Sequence, residues 1–453
     1  VTAAAALAFL AALTLVNSAW LYPSDTDTDA IAYLGLFQLF DTPNLLVFEY
    51  RLMRLPWVAS GWLAYAVFPP WLAGFLVGAV PVAGVAALVG YLAQRHGPPR
   101  AGVLAATMAT TLPWMHQLGV GATYHNAFAT LAWLAALAWW HRPWVAGVAL
   151  GVALLDNILL VNLLPATLMI AGRPSRTQAV PLAAGATLSV LASAAACVAV
   201  GRPPAFFAPL LSRVGAFLSD PSLNVYHQSW REWLPDAGWM GALVAAAVVA
   251  RRRQDPWQRA FLVSLVIWVV WQLLGQTALD WARFAYPLLP LAIVVLARHA
   301  AAPNATLAWA CGLLAGAALP GSALVSSVLA GMAVVRRARW TPAVLGVALA
   351  LGVPSWSVYA PDSCDDAARH EEVIRYLRAI ATEITPDVER VEVASPSRGH
   401  DPDICGRDHA SVVRAAANVG RWTVVDAEAP LRSRTLRVRS SHDTPGPGVV
   451  VTP

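Results

Sequence analysis

From Trp71 to Ala93 the chain reads WLAGFLVGAVPVAGVAALVGYLA, 23 residues without a charge, and then turns at Arg95-His96-Gly97-Pro98-Pro99-Arg100. As an α-helix this run is about 35 Å long, enough to cross the hydrocarbon core of a bilayer. Further apolar runs are read at 3–21, 101–118, 125–140, 144–156, 158–171, 179–200, 238–250, 260–275, 284–297, 304–319, 321–335 and 341–359. The pattern predicts a polytopic α-helical membrane protein of about 11–13 transmembrane helices.

Composition points the same way. Of 453 residues 58% are hydrophobic and only 13% charged, and mean hydropathy is +0.55. That is roughly half the charge a soluble domain carries. A cytosolic enzyme, a secreted disulfide scaffold and a disordered chain are thereby excluded. All 31 basic residues are arginine, so Schiff-base chemistry on lysine is excluded too. A net charge of +5 raises the question of nucleic acid, but the placement of the arginines answers it. The loops holding Arg95, Arg100, Arg142, Arg173, Arg176, Arg251–Arg253, Arg259, Arg298 and Arg336–Arg339 fall on one side of the spans. Arg51, Arg54, Arg202, Arg213, Arg231 and Arg283 fall on the other. The richer side is cytoplasmic by the positive-inside rule. The N-terminus is then cytoplasmic, and loops 23–56, 201–237 and 276–283 face outward, as does the chain after Pro361.

Acids are scarcer and more informative. Of 26 acidic residues only eleven precede Pro361, and five of those lie in one outer loop: Asp25, Asp27, Asp29, Asp41 and Glu49. A carboxylate near a membrane is costly unless it faces water or a site. Within that loop Ala30–Phe40 is apolar at helical spacing but too short to span, which predicts a helix along the membrane surface with Asp29 as its N-cap. Asp25-Thr26-Asp27-Thr28-Asp29 begins like an EF-hand. However, Ala30 replaces the required glycine, and Leu36 stands where the bidentate glutamate belongs. A looser divalent-cation site on Asp25 and Asp27 stays open, and a metal cation is the one cofactor the loop leaves room for. The alternative use of these carboxylates is as a general base held at the bilayer surface.

Residues 361–453 change character. Charges return, Glu371–Ile384 carries Val373, Ile374, Leu377, Ile380 and Ile384 on one helical face, and Asp408 caps a helix ending at Gly420. Strands are read at Val391–Val393, Trp422–Val425 and Thr435–Val438. This predicts a small α/β extracytoplasmic domain of about 90 residues following a transmembrane module at 1–360. Cys364 and Cys405 are its only cysteines, and an oxidising outer compartment predicts a disulfide between them. Cys197 and Cys311 sit in apolar spans as packing residues.

Asp29-Ala30-Ile31-Ala32-Tyr33, the surface helix, and then Glu49-Tyr50-Arg51-Leu52-Met53-Arg54-Leu55-Pro56-Trp57 resemble the first outer loop of GT-C membrane glycosyltransferases. That superfamily includes the aminoarabinose transferases and protein O-mannosyltransferases, whose loop carries a D-E-x-x-Y motif. Asp29 and Tyr33 match its aspartate and tyrosine, while Ala30 departs from its second acid. Asp280-Trp281-Ala282-Arg283-Phe284-Ala285-Tyr286-Pro287-Leu288-Leu289-Pro290 resembles the family's late R-Y-x-x-P-x-x-P approach to a span. Gly121-Ala122-Thr123-Tyr124-His125-Asn126 falls where many relatives carry a tyrosine and a second aspartate; here Asn126 is the nearest equivalent. The resemblance covers about residues 1–300.

It implies an inverting transferase in the cytoplasmic membrane that moves a sugar from a polyprenyl-phosphate donor to a glycan, lipid or protein acceptor on the outer face. Asp29 is then the leading base, with Asp27 behind it. Arg283, Arg51 and Arg54 are the candidates for donor phosphate, because a guanidinium binds two oxygens and keeps its charge. Tyr33, Tyr124, His125, Trp230 and Trp233 are the candidates for substrate contact. Most of the 20 tryptophans fall at span ends, where an aromatic belt accounts for them. Asp156-Asn157, between two apolar runs, reads as a turn.

The competing classes are a non-enzymatic transporter or flippase and an envelope-assembly protein. A transporter predicts ionisable groups deep in several spans and internal repeats; the spans here are nearly free of charge, and no repeat is seen at corresponding positions in two halves. No P-loop, dinucleotide fingerprint or nucleophile elbow occurs, which leaves nucleotide-driven and acyl-transfer chemistry unsupported.

Overall fold

The computed structural model describes residues 28–41, 54–98, 101–102, 105–106, 108–109, 124–201, 204, 243, 246–247, 250, 255–275, 286–300, 374 and 378, and four strands after residue 389. Its helices are α1 Thr28–Leu39, α2 Leu55–Val67, α3 Pro70–Arg95, α4 Tyr124–Ala138, α5 Pro143–Asp156, α6 Leu164–Ala171, α7 Arg176–Ala199, α8 Pro256–Gly275 and α9 Leu288–Ala300. A 3-10 helix, Ile158–Leu163, joins α5 to α6. The chain clusters into two compact units. One contains residues 79–191 and 214–359, the other residues 18–78 and 360–453, each with a shorter flanking piece.

Among the described residues, α3 and α7 are long and apolar enough to cross a membrane. At 26 and 24 residues they reach about 36–39 Å. On α7, Val180, Leu188, Leu191 and Val198 are exposed, a greasy outer face that suits lipid rather than water. Helix α5 matches the span predicted at 144–156, but α6 is shorter than the one predicted at 158–171 because the chain changes geometry after Asp156. Asn157 leaves the helix with extended backbone, and its side chain accepts from Leu159 N at 3.1 Å to start the 3-10 turn. The predicted span at 284–297 instead becomes helical at Leu288, after a turn at Tyr286–Pro287, since the residue before a proline is held out of helix geometry. Helix α2 was not foreseen. Pro56 opens it, and it ends where Phe68 turns extended before Pro69-Pro70.

In the first unit, α5 and α7 approach through glycine. A Cβ at Gly147 would collide with the Leu182 carbonyl, one at Gly185 with the Trp144 carbonyl, and one at Gly151 would lie 2.8 Å from Ser189 Cβ. Ser189 Oγ donates to the Val148 carbonyl at 2.8 Å across the same seam. This is small-residue packing, which membrane helices use where lipid removes the hydrophobic drive between them. Gly185→Leu is expected to destabilise the protein by about 1–3 kcal/mol or more, because backbone atoms cannot yield to the new side chain. A thermal melt in detergent beside Ala184→Leu, which differs by one position, is the check. Equal melts for the two variants would contradict the close-approach account.

The ends of these helices are tied by polar side chains. Asp255 caps α8, accepting from Trp257 N at 3.2 Å, and its other oxygen accepts from Arg298 Nη1 at 2.8 Å. Arg95 donates to the Ala138 carbonyl at the end of α4, 3.0 Å away. His96 packs its ring on Trp257 at 5.4 Å. That desolvation, then the nearby Arg95 and Arg298, hold the imidazole pKa below its usual 6.5, against an opposing pull from Asp255. Between the lowered folded value and 6.5 the unfolded chain binds a proton that the folded chain does not. Stability is therefore expected to fall as pH drops through that window and to be flat above it for this group. Melting in detergent from about pH 7.5 to pH 5 should show a shallower decline in His96→Gln than in wild type; identical slopes would remove His96 from the account.

In the second unit the C-terminal segment forms a sheet in the order β2-β1-β3-β4, with β1 Arg390–Val393, β2 Thr423–Asp426, β3 Thr435–Ser440 and β4 Val449–Thr452. β1 runs parallel to β2 and β3, with Val391 opposite Val424 and Leu436, and β4 closes antiparallel on β3. Three of the strands fall where the alternating pattern places them; β4 was unforeseen. The tail is helical at Ile374 and Arg378, and Ile374 is fully buried. The helix capped by Asp408 lies outside the described residues.

Candidate functional site

The acidic segment that begins at Asp25 leads into α1. The helix starts at Thr28, so Asp29 sits in its first turn rather than at the expected N-cap. Tyr33 follows one turn later on the same face. Tyr33 is buried, and the guanidinium of Arg54, the residue just before α2, lies 5.5 Å from its ring centroid. That is a cation–π contact in a partly desolvated setting.

The rest of the α1–α2 contact is aromatic. Phe37 stacks on Tyr65 at 5.8 Å and meets Trp57 edge-on at 5.7 Å, while Phe40 reaches Trp62 at 5.9 Å. Gly61 makes room for Phe37, whose ring a Cβ there would strike. Arg54 lies beside Tyr33, Phe37 touches Trp57 and Tyr65, and Phe40 reaches Trp62, so α2 begins beside the middle of α1 and packs along its second half. The start of α2 carries unpaired N–H groups and a partial positive charge, and Arg54 immediately precedes it, a combination suited to an anion such as phosphate. Burial of Tyr33 and the position of Arg54 are thus set by one piece of packing that also fixes the backbone bearing Asp29.

A second polar cluster lies in the other unit, at the start of α4 and the end of α5. Asn157 Nδ2 donates to Asn126 Oδ1 at 2.9 Å, and the neighbours in sequence, His125 and Asp156, are both buried, Asp156 completely. Trp133 Nε1 donates to Thr167 Oγ1 at 2.9 Å, and that hydroxyl donates to the Leu163 carbonyl. The Asp156-Asn157 pair is therefore not an exposed turn; it is part of a buried polar layer joining α4, α5 and α6. Buried ionisable groups in membrane helices are costly and concentrate at functional positions. A signal for it was in the sequence: Asp156 is the sole carboxylate between Glu49 and Asp220.

Of the other predicted residues, Tyr124 opens α4. Asp25, Asp27, Arg51, Arg283, Trp230, Trp233, Cys364 and Cys405 lie outside the described residues, as does Cys311. Cys197 is buried in α7. Among the described residues no group of three His, Cys, Asp or Glu side chains is placed to hold a metal ion.

No family model matches the chain, and no curated protein matches its sequence. A match is found among solved structures. The crystal structure of ArnT from Cupriavidus metallidurans in the apo state superposes with a TM-score of 0.52 at 14% identity, covering 97% of this chain and 94% of that one. The chain has an ArnT-like fold. The expected mostly helical fold is thereby supported in part, through this likeness to ArnT and the two helices among the described residues long enough to cross a membrane. Because the match with ArnT covers nearly all of both chains, it takes in the tail as well as the helices, beyond the 300 residues over which sequence motifs carried the likeness.

Proposed function

We propose that this chain is an integral membrane glycosyltransferase of the GT-C type. It takes a sugar from a polyprenyl-phosphate donor and places it on a glycan, lipid or protein acceptor at the outer face of the cytoplasmic membrane. The observation that supports this best is the contact between α1 and the start of α2. There a motif carboxylate, Asp29, precedes Tyr33 by one turn, and Arg54 lies over the Tyr33 ring. ArnT, whose fold the chain shares, is an aminoarabinose transferase.

In the reaction, the acceptor hydroxyl oxygen attacks the anomeric carbon and its proton passes to the Asp29 carboxylate. The bond from that carbon to the phosphate oxygen breaks, and the lipid phosphate leaves with the electron pair. One displacement inverts the anomeric centre. Arg54, with Arg51 and Arg283, takes the departing phosphate. Asp27 is the second candidate base. Asp25 and Asp27 are the residues for a divalent cation if turnover requires one. Tyr33 supports the site from beneath, and Tyr124, His125, Trp230 and Trp233 are assigned to the substrate side.

Residues 1–360 form the catalytic membrane module and 361–453 an extracytoplasmic domain, with a Cys364–Cys405 disulfide and the N-terminus in the cytoplasm. Purified protein in liposomes, given a panel of polyprenyl-phosphate hexoses and pentoses with and without Mg²⁺, is expected to release lipid phosphate from at least one donor. Release from none of them would overturn the enzyme reading and favour the transporter or assembly classes.

A further inference from the structure

The last turn of a helix carries a partial negative charge, and the last turns of α1 and α2 both lie within reach of one side chain. Neither α1 nor α2 carries a basic residue in its last turn. Asp41, two residues beyond α1, adds a carboxylate at the same end. Helix α2 has a further defect. The carbonyl of Tyr65 would ordinarily accept from the amide four residues on, but that residue is Pro69, which has none. Local sequence leaves this end of the pair short of both positive charge and a donor.

Arg378 meets both needs. It donates from Nε to Gln38 Oε1 at 2.7 Å, in the last turn of α1, and from Nη2 to the Tyr65 carbonyl at 2.9 Å, in the last turn of α2. One turn earlier on the same helical face, Ile374 is fully buried, which anchors the segment that presents the guanidinium. The two contacts span 340 and 313 residues of chain. Arginine suits the task because its rigid fork reaches two acceptors at once, which a lysine ammonium does less well.

We infer that Arg378 caps the C-terminal end of α2 and ties α1 to it through the Gln38 side chain, a positioning residue through which the tail holds the helix pair that carries Asp29, Tyr33 and Arg54. The tail is then a structural part of the active module, not only a cover over it. The inference rests on the glycosyltransferase reading for its effect on turnover, but the cap itself does not.

Two readouts on full-length protein in liposomes separate them. Hydrogen exchange at the amides of residues 34–39 and 62–67 is expected to quicken about tenfold in Arg378→Ala, less in Arg378→Lys, and by an intermediate amount in Gln38→Ala. The Arg378→Ala/Gln38→Ala double variant should be no faster than Arg378→Ala alone, since one contact is lost only once. In a turnover assay Arg378→Ala should lower kcat about tenfold with little change in donor KM, and Arg378→Lys should recover part of it. Unchanged exchange in both Arg378 variants overturns the cap. Faster exchange with unchanged kcat overturns its positioning effect. A wild-type protein inactive on every donor, with exchange still responding to Arg378, leaves the cap standing and removes the glycosyltransferase reading instead. Arg378→Lys keeps the test usable if Arg378→Ala fails to fold.

Discussion

Asp29→Asn is expected to lower kcat by about 10²–10⁴ while leaving donor KM within a few-fold. The amide matches the carboxylate in shape and still accepts hydrogen bonds, but it cannot take the acceptor's proton. Folding should survive, because a first-turn acid contributes only about 0.3–1 kcal/mol to its helix. A melt close to wild type is therefore part of the expected result. Asp25→Asn and Asp27→Asn are the controls. If Asp27→Asn shows the large loss and Asp29→Asn does not, the base is Asp27 and the motif match at position 29 is coincidental. If neither variant matters, proton removal is carried out elsewhere, and the buried Asp156 layer becomes the next place to look. The match of Asp29 and Tyr33 to the motif ranks the candidates, and only turnover can separate carboxylates two residues apart.

Replacing Arg54 should have the second-largest effect. Arg54→Ala removes a charge-assisted contact to phosphate of about 2 kcal/mol, or roughly 30-fold in kcat/KM. It also removes the cation over Tyr33. Arg54→Lys retains charge but neither the planar fork nor the stacking, so it is expected to recover less than half of that free energy. The loss should appear mainly in donor KM if Arg54 holds phosphate in the ground state, and mainly in kcat if it acts on the leaving group. A variant with both constants at wild-type values would limit Arg54 to packing on Tyr33. Tyr33→Phe is a useful companion, since it keeps the ring under Arg54 and should change kcat/KM less than twofold or threefold.

Much of the architecture was legible because it depends on local pattern. Hydropathy runs located α3, α4, α7 and α8 to within a few residues, and the apolar spacing of Ala30–Phe40 located α1. Period-two alternation located β1, β2 and β3. Features that hinge on one residue's backbone were harder to place. Pro56 and Pro69 bound α2 as a short helix between the loop read at 23–56 and the span read at 71–93, and Asn157 splits the chain between α5 and α6 with a side-chain bond to Leu159 N. Asp29 moved from cap to first turn because Thr28 is already helical.

The candidate site divides along the same line. Asp29, Tyr33 and Arg54 could be singled out from the chain because the first two share a helical face and the third lies beside a membrane approach. Residue order by itself determined which side chains can carry charge, where the long apolar helices lie, and that carboxylates crowd residues 25–49. It could not determine that Arg54 lies over Tyr33, that Gly147 and Gly185 meet opposing backbone, or that Asn126 bonds to Asn157. Nor could it place Arg378 on Gln38 and Tyr65 across more than 300 residues. Those contacts join residues far apart in the chain, and propensity and periodicity act only over a few turns. Where Arg54 and the start of α2 lie against α1, and therefore where a phosphate would find positive charge, was set by packing.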